Sequence, residues 1–65
     1  MSFAENLKNL RKANKMDQIK LANEISVSPK TISHWETGYT EPSINQLILI
    51  ANYFDVTIDD LVDRK

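Results

Sequence analysis

"SPKTISHWETG", Ser28 to Gly38, is the stretch on which the fold turns. Ser28 suits a helix N-cap, because its hydroxyl can accept a backbone N–H that the first turn leaves unpaired. Pro29 suits the first helical position, where its missing N–H is not needed. Gly38 suits the left-handed residue that stops a helix. Between these signals only Ile32 and Trp35 are large and apolar. At about 100° per residue they share one direction, Lys30 and Thr37 fall nearly opposite, and Ser33 and His34 lie beside them. A small domain needs core, yet this helix offers little. Its polar face is short-chained and rich in hydrogen-bonding groups, without the Glu/Lys mixture of a merely solvated surface. That face is suited to reading a polar partner.

Four more helices are expected around it. Upstream, "SFAENLKNLRKA" opens on a capping box, Ser2 with Glu5, and turns Phe3, Leu7 and Leu10 inward. "DQIKLANEI" has Asp17 as N-cap and Leu21, Ala22 and Ile25 inward. Only "SVS" then separates it from the next helix, a turn so tight that the pair is set at a steep angle. Val27 and Ile32 occupy the positions of a hydrophobic staple. Downstream, the fourth helix starts at Ser43, with Gln46 as box partner, and runs through "INQLILIANYF". The fifth is "TIDDLVD", capped by Thr57, with Asp60 where negative charge suits the helix dipole. "FDVTI" taken alone could pass for a strand.

Composition narrows the function. The chain has 65 residues and no cysteine, so neither disulfide nor thiolate metal site is available. One histidine cannot form a metal cluster. The longest apolar run, "LILIA", is far short of the ~20 residues a membrane helix needs. The start, "MSFAENLKNLRKANK", is interrupted by charge and is no secretory signal. A cytoplasmic protein with no membrane partner and no cofactor is expected, with residues 1–65 forming one domain. Net charge is −1, which by itself argues against nucleic acid. Its distribution argues the other way: residues 1–40 carry net +2 and residues 41–65 net −3.

The segment "QIKLANEISVSPKTISHWETGYTEPS", Gln18 to Ser43, joins glutamine and an alanine four residues on to threonine-isoleucine-serine, tryptophan-glutamate, glycine and proline-serine. In that order and spacing it resembles the Cro and phage-repressor (XRE-like, lambda-repressor-like) helix-turn-helix family, over roughly Phe3 to Val62. The resemblance implies an all-α, compact five-helix fold with the helix-turn-helix at helices 2 and 3. It implies double-stranded DNA as partner and sequence-specific transcriptional regulation, most simply repression at an inverted-repeat operator. Ser28, Pro29, Lys30, Thr31, Ser33 and His34 would face bases, with specificity resting mainly on Lys30 and His34. Pro29 departs from the polar residue common there and leaves an apolar surface for a thymine methyl. Gln18, Thr37, Tyr39 and Thr40 would contact phosphates. Arg11 and Glu36 would form a structural salt bridge. The family places glycine where this chain has Lys15, Ser26 and Asp55, so those turns are expected to be strained or altered.

Simpler readings stand beside these. Trp35 reads as core rather than a stacking platform, because of its spacing from Ile32. His34 has no nucleophile or orienting partner, so an enzyme is not indicated. Asp59, Asp60 and Asp63 lack the spacing of a calcium loop. Lys8, Arg11, Lys12 and Lys15 mix ordinary solvation with phosphate attraction. The fourth helix carries more apolar residues than its inward stripe, Leu47, Ile50, Ala51 and Phe54, requires. Leu49 and Tyr53, with Ile58 and Val62, read as a homodimer interface. An antitoxin that also binds a toxin, or a protein-interaction module that has lost DNA binding, are the alternatives this apolar face leaves open.

Overall fold

A computed structural model describes residues 2–62. Five α-helices follow one another: α1 (Phe3–Ala13), α2 (Gln18–Glu24), α3 (Pro29–Glu36), α4 (Ile44–Phe54) and α5 (Ile58–Val62). There is no strand among the described residues; in "FDVTI", Phe54 ends α4 and Ile58 begins α5. Asp63, from the expected acidic group, lies outside the described residues.

Each helix gives one fully buried aliphatic side chain to a common centre: Leu7, Leu21, Ile32, Ile50 and Leu61. Burying each is worth about 1.5–3 kcal/mol. Ala22, Ile25, Trp35, Ala51 and Met16 complete the core. Trp35 is 2% exposed and packs near-perpendicular to Phe3 with ring centroids 6.1 Å apart. It is core, as its spacing from Ile32 indicated. α3 packs on α1 and α2, and α5 packs on α1 and α4, so α3 and α5 share α1 as their support.

The helix starts use the caps their sequences announce. Ser2, Asp17, Ser28 and Ser43 each accept the N–H three residues on. The reciprocal box is complete at α4, where Ser43 N–H also donates to Gln46 Oε1. It is complete at α5 too, with Asp60 in the role of the usual Glu or Gln. At α1 Ser2 supplies the cap alone. The short α5 is tied at its far end by Asn6, whose Nδ2 donates to the Leu61 carbonyl at 2.8 Å and to that of Asp60 at 3.3 Å.

All four interhelix turns end their helix on a left-handed residue: Lys15 (φ 58°), Ser26 (φ 60°), Gly38 (φ 78°) and Asp55 (φ 57°). In each, the next N–H returns to a carbonyl five residues back, as in Met16 to Arg11 and Val56 to Ala51. This is the Schellman ending, which satisfies helix carbonyls that would otherwise lack donors. The turns are therefore not altered where glycine is missing; three L-residues adopt the conformation at a backbone cost.

Candidate nucleic-acid interface

The turn Ile25–Ser28 presents α3 beside the start of α2. On α3, Ile32 and Trp35 point into the core, while Pro29 and Lys30 are exposed and Thr31, Ser33 and His34 are half-exposed. Thr37, Tyr39 and Thr40 follow on the exposed loop. The side chains that the sequence nominates from Ser28 to Thr40 thus run along α3 from its N-cap to the loop beyond its end, with Gln18 at the start of α2.

Several are already engaged, and that decides what each can offer. Ser28 Oγ accepts from Thr31 N–H at 3.1 Å and shares a 2.9 Å hydrogen bond with Thr31 Oγ1. One hydroxyl hydrogen of that pair therefore remains to donate to a partner. Thr37 donates its hydroxyl to the Ser33 and His34 carbonyls, at 3.1 and 3.2 Å. A phosphate oxygen only accepts, so Thr37 must swing off the helix to bind one. Lys30 is exposed and brings the point charge of an ammonium group.

Gln18 opens α2, and its amide Nε2 donates to Glu36 Oε1 at 3.1 Å. It belongs to a network that the sequence indicated only as a pair. Arg11 Nε donates to Glu36 Oε2 at 2.7 Å and Nη2 to Oε1 at 3.0 Å, while Nη1 caps the Met16 carbonyl at 2.9 Å. Burial works against ionisation of Glu36. Hydrogen bonds from Arg11 and Gln18, with the charges of Arg11 and Lys8, outweigh it and lower the pKa. The hydrogen bond to Glu36 likewise raises the pKa of Arg11. The network fixes the start of α2 to the end of α3, leaving Gln18 one amide hydrogen to donate elsewhere.

Two further contacts had no clear signal in the sequence. The His34 and Tyr39 rings lie 4.7 Å apart, tilted by 55°. Tyr53 turns toward α2, where its hydroxyl lies 3.2 Å from Glu24 Oε1. Burial first, then the Glu24 bond and charge, raise the Tyr53 pKa. Of the residues expected at a dimer contact, Leu49 is 45% exposed, Ile58 and Val62 are half-buried against the core, and Tyr53 is partly occupied by Glu24. Ile44 and Ile48, one turn apart on α4, are exposed apolar residues that the expected interface did not include.

Comparison with known proteins places these features. Residues 7–61 match a helix-turn-helix family model. The chain is 40% identical over all of its length to the HTH-type transcriptional activator BcrR of Enterococcus faecalis, covering 32% of that protein. The P22 c2 repressor, solved in complex with a synthetic operator, superposes with a TM-score of 0.91 at 28% identity, covering 100% of this chain and 98% of that one. Hydroxypropylphosphonic acid epoxidase of S. wedmorenis carries a similar unit, with a TM-score of 0.84 at 38% identity over 92% of this chain and 32% of that one. The chain spans between 32% and 57% of the length of the curated relatives it matches. Among the described residues no helix is long and apolar enough to cross a membrane.

Proposed function

The chain belongs to the XRE-type helix-turn-helix family, and from that membership we propose that it is a sequence-specific DNA-binding transcriptional regulator, not an enzyme, working in the cytoplasm as one domain. The observation that carries the reading is the division of α3: Ile32 and Trp35 are buried while Lys30 is exposed and Ser33 and His34 are half-exposed. Placed in the major groove, Lys30 donates to guanine O6 and N7, and Pro29 meets a thymine methyl. The hydroxyl pair Ser28–Thr31, with Ser33 and His34, completes base contact. Gln18, Tyr39 and Thr40 hold phosphates, joined by Thr37 after its hydroxyl is released.

Two copies would join through Leu49, with Tyr53, Ile58 and Val62 at its margin. α4, "INQLILIANYF", carries no charged side chain, so two copies can approach without like-charge repulsion. A two-fold dimer reads half-sites about ten base pairs apart, and occupancy represses by occluding polymerase.

Selection from random duplexes at low salt, followed by sedimentation of the protein with and without the enriched DNA, tests this reading. An inverted repeat bound by two copies is the expected result. A single half-site bound by a monomer removes the homodimer and gives the Leu49 face to another protein, as in the antitoxin alternative. A folded protein that enriches nothing overturns DNA binding. A reporter downstream of the enriched site then separates repression from activation.

A further inference from the structure

The loop after α3 folds Tyr39 back onto the recognition helix. Its backbone N–H donates to the His34 carbonyl at 2.9 Å, across a turn whose left-handed residue is Gly38. The same turn brings the phenol ring to 4.7 Å from the His34 imidazole. Tyr39 is 76% exposed, so the core does not hold it there. A tyrosine that served only to touch a phosphate would use its hydroxyl; here the ring itself is engaged.

We propose that Tyr39 is a specificity-determining positioning residue, holding the His34 imidazole in one rotamer so that its edge meets one base pair. The inference rests on the DNA-reading function proposed above. Neither imidazole nitrogen takes part in a hydrogen bond among the described residues, so the tilted contact with Tyr39 leaves both able to donate or accept. A tilted aromatic pair at this distance is attractive. Without it the side chain is free to move among staggered rotamers and must be ordered at the moment of binding. The target that suits an in-plane imidazole nitrogen is a purine edge in the major groove, where N7 accepts and O6 or N6 lies beside it. Tyr39 thus governs a base preference without touching a base, and the tie is local: one turn of backbone carries both rings.

The test compares wild type, Tyr39→Phe, Tyr39→Ala and His34→Ala in the random-duplex selection, with the imidazole proton shifts of each protein recorded by NMR without DNA. Tyr39→Phe keeps the ring and loses the hydroxyl; Tyr39→Ala loses both. We expect Tyr39→Phe, which gives up the phosphate contact of the hydroxyl and so binds all sequences more weakly, to retain the wild-type base preferences and the ring-current shift of the His34 protons. Tyr39→Ala should lose that shift and lower preference about fivefold or more at the one base pair per half-site that His34→Ala also affects, leaving the others unchanged. Retention of every base preference in Tyr39→Ala overturns the inference, whether or not the shift is lost. Equal loss in Tyr39→Phe and Tyr39→Ala assigns the effect to the hydroxyl and overturns it as well. A wild-type protein that shows the ring-current shift yet enriches no sequence overturns the DNA-reading function, and this inference with it.

Discussion

Arg11 and Glu36, 25 residues apart in sequence, meet side by side, with two hydrogen bonds of 2.7 and 3.0 Å joining α1 to the end of α3. The two side chains are 11% and 2% exposed. Solvent screens such a pair weakly, and removing one partner strands the other. Glu36→Ala or Arg11→Ala should each lose about 3–5 kcal/mol, whereas an apolar pair such as Arg11→Met with Glu36→Leu should recover much of it. A domain of this size has about 3–5 kcal/mol to lose. Urea titration should therefore find the single variants largely unfolded in buffer. Single variants within about 1 kcal/mol of wild type would show that the pair does not hold α3.

Acid should weaken the same connection. The pKa of Glu36 is lower in the folded chain than its ordinary value. Its contribution is then fully present above the unfolded carboxylate pKa and is lost as pH falls through the folded one. Melting temperatures from pH 7 to pH 2 should decline on that acid limb. Glu36→Gln, already less stable at neutral pH, should show a flatter limb. Parallel limbs would place the acid sensitivity elsewhere.

Lys15 and Ser26 occupy left-handed backbone at φ 58° and 60°. Replacing each by glycine relieves the Cβ penalty and adds unfolded-state entropy, leaving a net gain of about 0.5–1 kcal/mol. The turns are separate, so the gains should add. Gly38→Ala should do the reverse by about 1 kcal/mol. A Cβ there meets nothing within 4 Å, so that loss is backbone strain and not a clash. Thermal melts of the three variants and the Lys15/Ser26 double variant decide the matter.

Lys30 is expected to act on bases and not only on charge. Lys30→Ala should weaken the selected site by about 1–3 kcal/mol and relax preference at one position per half-site. A lysine that met only phosphate would instead weaken all sequences alike and lower the salt slope by about 0.9. Binding titrations at several salt concentrations separate the two.

Leu49→Glu should test the dimer without disturbing the core, since Leu49 is 45% exposed. Sedimentation should show monomer, and the variant should bind one half-site with the wild-type base preference. A dimer that survives the substitution would move the interface to Ile44 and Ile48 or away from α4.

Local chemistry made much of this fold legible. The capping residues Asp17, Ser28, Ser43 and Thr57 act on atoms three positions away, so their neighbours suffice to find them. The apolar period placed Leu7, Leu21, Ile32 and Ile50 inward, because one helix face has only one direction in which to escape water. The same wheel separated Trp35 from the exposed face of α3. Other features depend on how separated pieces of chain come to rest. Gln18 has both a donor and an acceptor, and only the approach of Glu36 from α3 decides which is used. Tyr53 reads as a free apolar surface until α2 brings Glu24 within 3.2 Å of its hydroxyl. The Tyr39 ring meets His34 because the Gly38 turn reverses the chain, and nothing in either residue's type announces that contact. The chain by itself determined the helices, their caps and their inward faces, since those follow from bonds and burial within a few residues. Tertiary structure alone decided which polar atoms are spent inside the fold and which stay free for a partner, since a hydrogen bond is claimed by whichever group packing brings within reach.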